Sequence, residues 1–325
     1  DVERSRGLGD VYKRQSLKVT DEDGNTVDEW VSKEEAHIIK GLIVGKKYKM
    51  TETKPADGYV TAESIEFTVE NTKEVQKHQM LDDVTKVEIS KKDITDSSEV
   101  PGAKLIILDK DGKKVESWTS TDKPHMVEKL PVGEYTLREE QAPDGYLIAE
   151  DVKFTVKDTG KVQKIKMKDA HPYGKLVIKK TDSTSKAALS GAEFELREKE
   201  SGKVVEKLVT DKTGTATSGK IPIATYKNGK VEKTVEYILV ETKAPNGYEL
   251  SSKKEEIRFE YKDGKTKVIE IVKEIKNTKS PSGSTPTGNS PKTGDSTNIW
   301  LPILLAVLSA CGIGGVIWYK KKKGN

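Results

Sequence analysis

Tyr135-Thr136-Leu137-Arg138-Glu139-Glu140-Gln141-Ala142-Pro143-Asp144-Gly145-Tyr146 decides the fold, because the chain writes this stretch three times. An earlier copy runs Tyr48-Lys49-Met50-Thr51-Glu52 and on to Asp57-Gly58-Tyr59. A later one runs Tyr237-Ile238-Leu239-Val240-Glu241 and on to Ala244-Pro245-Asn246-Gly247-Tyr248. In each, apolar and polar residues alternate, a Gly turn follows, and a second alternating run comes next: Ile65-Phe67-Val69, Val152-Phe154-Val156, Ile257-Phe259-Tyr261. From Gly58 to Gly145 is 87 residues and from Gly145 to Gly247 is 102. A period of that length is one domain per repeat, and short alternating strands between Asp-Gly and Asn-Gly turns predict all-β antiparallel sandwiches in tandem.

The domain starts repeat as well. Val87-Glu88-Ile89-Ser90-Lys91-Lys92-Asp93 leads to Pro101-Gly102-Ala103, and Leu176-Val177-Ile178-Lys179-Lys180-Thr181-Asp182 leads to Ser190-Gly191-Ala192. Leu17–Gly24 aligns with Leu105–Gly112, so the first unit lacks this opening strand. The expected organisation is therefore a truncated domain over 16–84, whole domains over 85–170 and 171–278, and a linker over 279–298. Lys227-Asn228-Gly229-Lys230 predicts an additional hairpin in the third unit. Residues 1–15 show no alternation, no initiator Met and no apolar signal core; they resemble translated adapter sequence and are read as non-native or unassigned. The expectation is that the native N-terminus and its export signal lie upstream.

Strand parity turns the repeats into chemistry. Residues i, i+2 and i+4 share one face of a strand. Val87, Ile89 and Lys91 share a face, as do Leu176, Ile178 and Lys180. Tyr135, Leu137 and Glu139 share one, repeated by Glu241 and Glu52. Ile165, Met167 and Asp169 do the same near the end of the second unit, and Ile275 with Asn277 in the third. Each whole unit thus aims a Lys, a Glu and an Asp or Asn at its apolar face. Burial disfavours both ammonium and carboxylate, leaving an amine nucleophile and an acid able to polarise a carbonyl. In contact, Lys with Asp can lose water and Lys with Asn can lose ammonia, leaving an amide between first and last strands. The competing reading is a set of surface salt bridges contributing little.

This constellation resembles the Cna-B (SpaA-like, prealbumin-like) domains of Gram-positive adhesins and pilins, which form intramolecular isopeptide bonds without an external enzyme. The resemblance covers 16–278, and the Glu…Ala-Pro-x-Gly-Tyr segment carries it. It implies Lys91–Asp169 with Glu139 in the second unit and Lys180–Asn277 with Glu241 in the third. The first unit keeps Glu52 and Asp82 but has no partner lysine, and its Pro55-Ala56 reverses the usual order. The resemblance implies no cofactor and no metal, and only single-turnover chemistry.

From Ile299 to Tyr319 the chain runs 21 residues without a charge, between Trp300 and Trp318, and Lys320–Lys323 follow. That predicts a transmembrane helix over 299–319 with a cytoplasmic basic tail over 320–325. Just upstream stand Ser290-Pro291-Lys292-Thr293-Gly294. Motif, span and tail together resemble the LPXTG-type cell-wall sorting signal of Gram-positive surface proteins, with Ser290 where that signal has Leu. The resemblance implies a sortase as partner, cleavage between Thr293 and Gly294, and transfer of Thr293 to peptidoglycan or to another pilin subunit.

Net charge of +4, with 57 basic and 53 acidic residues, leaves no basic stripe, so nucleic-acid binding is not expected. The one cysteine, Cys311, lies in the predicted span, so no disulfide staples the ectodomain. His37, His78, His125 and His171 show no metal-ligand spacing, and Trp30 and Trp118 occupy equivalent places suited to core packing. The functional expectation is a secreted, cell-wall-anchored stalk or pilus subunit for adhesion, with a host matrix or cell-surface ligand as possible partner. The alternative is the stalk of an anchored enzyme whose catalytic domain lies upstream. The family's shaft subunits offer a lysine in a Tyr-Pro-Lys type motif, and no such motif occurs here.

Overall fold

The structure is a computed structural model and describes residues 15–281; the sorting motif at 290–294, the span at 299–319 and the basic tail lie outside the described residues. Every regular element among the described residues is a strand. In the first unit, β1 (Ser16–Thr20), β2 (Thr26–Val31), β3 (Lys47–Lys54) and β4 (Ile65–Thr68) form one sheet in the order β2-β1-β3-β4.

The second unit has two sheets among the described residues. Its strands are β5 (Lys86–Asp93), β6 (Lys104–Asp109), β7 (Lys114–Thr119), β8 (His125–Glu128), β9 (Gly133–Gln141), β10 (Val152–Val156) and β11 (Val162–Asp169). They form two sheets, β10-β9-β6-β7 and β11-β5-β8. The third unit repeats the plan with β12 (Tyr173–Asp182), β13 (Glu193–Glu198), β14 (Val204–Val209), β15 (Thr215–Thr217), β16 (Ile221–Pro222), β17 (Ala224–Lys227), β18 (Lys230–Thr234), β19 (Glu236–Lys243), β20 (Glu255–Arg258) and β21 (Val268–Asn277). Here β14-β13-β19-β20 faces a sheet in which β12 pairs with β15, β16 and β21.

Pairing is antiparallel throughout, with one exception in each whole unit. The first and last strands, β5 with β11 and β12 with β21, run parallel side by side. Alternation then sorts each strand: in β12, Leu176, Ile178, Lys180 and Asp182 are buried while their neighbours are more exposed. Two inner faces of such side chains close into one core per unit, holding Val87, Ile89, Leu105, Leu137, Val156 and Met167 in the second. Tyr135 stacks near Phe154 and Tyr237 meets Phe259, ring centroids 5.7 and 6.2 Å apart. The first unit repeats that pair as Tyr48 and Phe67, and its Ile38, Ile43, Val75 and Leu81 are exposed.

The expected hairpin at Asn228-Gly229 joins β17 to β18, both turn residues having positive φ. It packs against the second unit: the Tyr226 hydroxyl donates to the Gly145 carbonyl at 2.8 Å, and the Tyr226 ring stacks on His171 at 3.5 Å. The tryptophans also pack as expected, with partners that strand periodicity does not show. Trp30 stacks on His37 and Trp118 on His125, each pair at 4.3 Å.

Candidate functional site: a buried lysine between the first and last strands

In the second unit, β5 carries Lys91, β9 carries Glu139 and β11 carries Asp169 to the same point in the core. Lys91 is 2% exposed, Glu139 4% and Asp169 0%. The Lys91 ammonium contacts Asp169 Oδ1 directly and lies 2.9 Å from Glu139 Oε2. Burial pushes the Asp169 carboxyl up to about 7, against the pull of Lys91 and with the help of the Glu139 carboxylate. That favours the neutral acid, whose carbonyl is open to an amine and whose hydroxyl can leave as water once it is protonated.

The third unit builds the same site with an amide. Lys180 Nζ donates to Asn277 Oδ1 and sits 3.0 Å from Glu241 Oε1. Asn277 Nδ2 donates to Glu241 Oε1 and Oε2 at 3.0 and 3.2 Å and to the Glu249 carbonyl at 3.0 Å. The amide is thus held by both ends, with its nitrogen on the acid and its oxygen on the lysine. Burial pushes the Lys180 amine down, against the stabilising pull of Glu241.

One feature of the glutamate recurs in all three units. Its Oε2 accepts the backbone N–H ten residues on, from Ala62 to Glu52 at 2.7 Å, from Ala149 to Glu139 at 2.6 Å and from Ser251 to Glu241 at 2.9 Å. The Gly-Tyr turn brings that N–H back over the strand, which gives the repeated motif a local purpose. In the first unit burial raises the pKa of both Glu52 and Asp82, and no lysine among the described residues joins them. The Gln15 side-chain amide donates to Asp82 instead, and Glu52 Oε1 has no hydrogen-bond partner.

The structure therefore brings together Lys91, Glu139 and Asp169, and separately Lys180, Glu241 and Asn277. Sequence reasoning missed the residues beside them. Asp93 and Asp182 lie two places beyond each lysine on the same strand face, and each accepts from the tyrosine of the Gly-Tyr turn: Tyr146 at 2.8 Å and Tyr248 at 2.9 Å. The signal was present, since Lys-x-Asp and Gly-Tyr both recur, but the tyrosine hydroxyl's partner is some 50 to 70 residues distant. No group of acidic, His or Cys side chains suited to a metal ion occurs among the described residues.

Tandem two-sheet units whose first and last strands meet at a buried lysine define a class of prealbumin-like surface domains. The chain matches the SpaA prealbumin-like fold domain over residues 12–83, 85–171 and 174–275, and it belongs to that family. Among solved structures it is similar to the TIE protein of Bacillus anthracis, with 28% identity and a TM-score of 0.51, over 83% of this chain and 48% of that one. The chain thus spans about half the length of that relative. A streptococcal ancillary pilin matches at 18% identity and a TM-score of 0.28, over 74% of this chain and 76% of the pilin. The major pilin SpaD of Corynebacterium diphtheriae matches at 15% identity and a TM-score of 0.27, over 60% and 98%. Among curated proteins no match was found.

Proposed function

We propose that this chain is a Gram-positive surface stalk or pilus subunit whose second and third domains lock themselves with Lys91–Asp169 and Lys180–Asn277 isopeptide bonds. The observation that carries this reading is the meeting of each lysine with a side-chain carbonyl and a buried glutamate, between the first and last strands. In the third domain the neutral Lys180 amine attacks Cγ of Asn277, forming an N–C bond. The Cγ–Nδ2 bond breaks, Glu241 gives a proton to the leaving nitrogen and takes the one the lysine nitrogen sheds, and ammonia departs. In the second domain the same attack on Asp169 breaks a C–O bond, Glu139 gives a proton to the leaving hydroxyl and takes the one the lysine nitrogen sheds, and water departs. Orientation drives the step, since the fold supplies an effective concentration far above any free amine.

The consequence is mechanical. Pulling on the ends of a domain loads its first and last strands, and an amide between them carries that load past the hydrogen bonds. Domains bounded at 85–170 and 171–278 would then transmit force without unfolding, as a disulfide-free extracellular stalk requires. The tail supplies the attachment: sortase cleavage between Thr293 and Gly294 hands the chain to peptidoglycan or a neighbouring pilin, and the 299–319 span serves only the precursor. Adhesion to a host matrix or cell surface is the purpose such a stalk serves.

Intact-mass measurement of the purified chain tests the locks. The expected mass is short of the sequence by one water and one ammonia, and Glu241→Ala restores the ammonia alone. A mass equal to the unmodified sequence overturns the reading.

A further inference from the structure

The register beside each proposed bond contains an unused carboxylate. In the parallel ladders Asp93 pairs with Asp169, and Asp182 pairs with Asn277, so each acceptor has an aspartate as its immediate cross-strand neighbour. Both aspartates are buried, at 0% and 2% exposure. Neither touches the lysine or the glutamate. Each is held from the other side by the tyrosine of the Gly-Tyr turn, Tyr146 or Tyr248.

The surrounding backbone repeats with the same connections. Ile94 N–H donates to the Asp169 carbonyl at 3.0 Å, and Ser183 N–H donates to the Asn277 carbonyl at 2.9 Å. Leu147 N–H, just after Tyr146, donates to the Ala170 carbonyl, and Glu249 N–H, just after Tyr248, donates to the Thr278 carbonyl, both at 2.9 Å. The turn residues that follow then deliver the N–H that fixes the glutamate. The tyrosine–aspartate hydrogen bond and these backbone bonds thus join the lysine strand, the acceptor strand and the glutamate loop at the residue pair that holds the acceptor, two places along the strand from the lysine. In the second unit His171 Nε2 also bonds Asp93 at 2.8 Å, and Tyr226 covers it; the part common to both units among the described residues is the tyrosine and the aspartate.

We propose that Tyr146 with Asp93, and Tyr248 with Asp182, are positioning residues that set the acceptor carbonyl against the lysine amine and so govern the rate of amide formation. The inference rests on the isopeptide reading above. Its physical basis is that an unactivated amine and carboxamide react only when held at attack distance, where a displacement of 1 Å can cost about a hundredfold. A hydroxyl–carboxylate hydrogen bond, charge-assisted and buried in the second unit and part-buried in the third, is strong enough to hold that register.

Cell-free synthesis of the full chain, stopped at intervals, lets the two cross-linked peptides be quantified separately by mass spectrometry. Tyr146→Phe is expected to slow water loss in the second unit by about tenfold or more while ammonia loss in the third continues at its normal rate. Tyr248→Phe is expected to do the reverse. Asp93→Asn keeps an acceptor for the tyrosine and is expected to retain most of the rate, whereas Asp93→Ala is not. Each unit is thereby the internal control for the other, which a general loss of stability would not reproduce. Normal rates in both Phe variants overturn the proposal and leave the isopeptide reading standing. Absence of both losses in the unaltered chain overturns the two together.

Discussion

Lys180 and Asn277 are 97 residues apart in the chain, yet their side chains touch between two adjacent parallel strands. Lys91 and Asp169, 78 residues apart, do the same in the preceding unit. A covalent bond at either place closes nearly a whole domain into a ring.

Loss of that ring sets the first prediction. Closing loops of this length reduces the entropy of the unfolded chain by the equivalent of about 4 to 5 kcal/mol, by analogy with disulfides. Lys180→Ala should lower the stability of the third domain by at least that order, since it also truncates a long side chain that is 1% exposed in the core. Denaturant unfolding followed by domain-specific hydrogen exchange would measure it, and the second domain should be unchanged.

A pH prediction follows from Asp169. Burial lifts its folded pKa to about 7, above the ordinary carboxylate value near 4. A group raised in the folded state favours folding fully below its unfolded pKa, and that contribution disappears as pH rises through the folded value. In Lys91→Met, which cannot form the bond, the second domain should be more stable near pH 4 than near pH 8, by on the order of 2–4 kcal/mol. Thermal melts across that range would show it; greater stability at the alkaline end contradicts the assigned protonation.

The hairpin between the second and third domains depends on Gly229. Its φ is +69°, and a Cβ there would lie 1.8 Å from the Glu99 carbonyl oxygen. Gly229→Val should detach the β17–β18 hairpin at a cost of about 1–3 kcal/mol. Faster amide exchange around Tyr226 and new protease cleavage near His171 are the expected readouts, with both mass losses retained.

Anchoring is tested at Thr293. Thr293→Ala should leave the chain in the membrane fraction of a Gram-positive host that carries the matching sortase, instead of in the cell wall. Wall-linked product in that variant would show that another residue is the point of transfer.

Much of the fold was legible from local spacing. Alternation in Val87-Ile89-Lys91 and in Ile165-Met167-Asp169 placed Lys91 and Asp169 on an inner face, because period two is a property of the strand alone. The alignment of Leu17 with Leu105 made β1 of the first unit the counterpart of β6 of the second, and among the described residues the first unit forms one four-stranded sheet. The hairpin at Asn228-Gly229 was legible because its turn demands those residues.

What the sequence determined by itself, then, was which residues point inward and which units repeat. Only the tertiary structure decided which inward groups meet. The parallel pairing of β5 with β11 puts Asp93 beside Asp169, and the fold over the Gly-Tyr turn brings Tyr146 to Asp93 across 53 residues. The same is true of Tyr226, whose place on His171 joins two domains. The physical reason is that strand periodicity is a local property of the backbone. Partners across a sandwich are chosen by register and by loops that no short window contains.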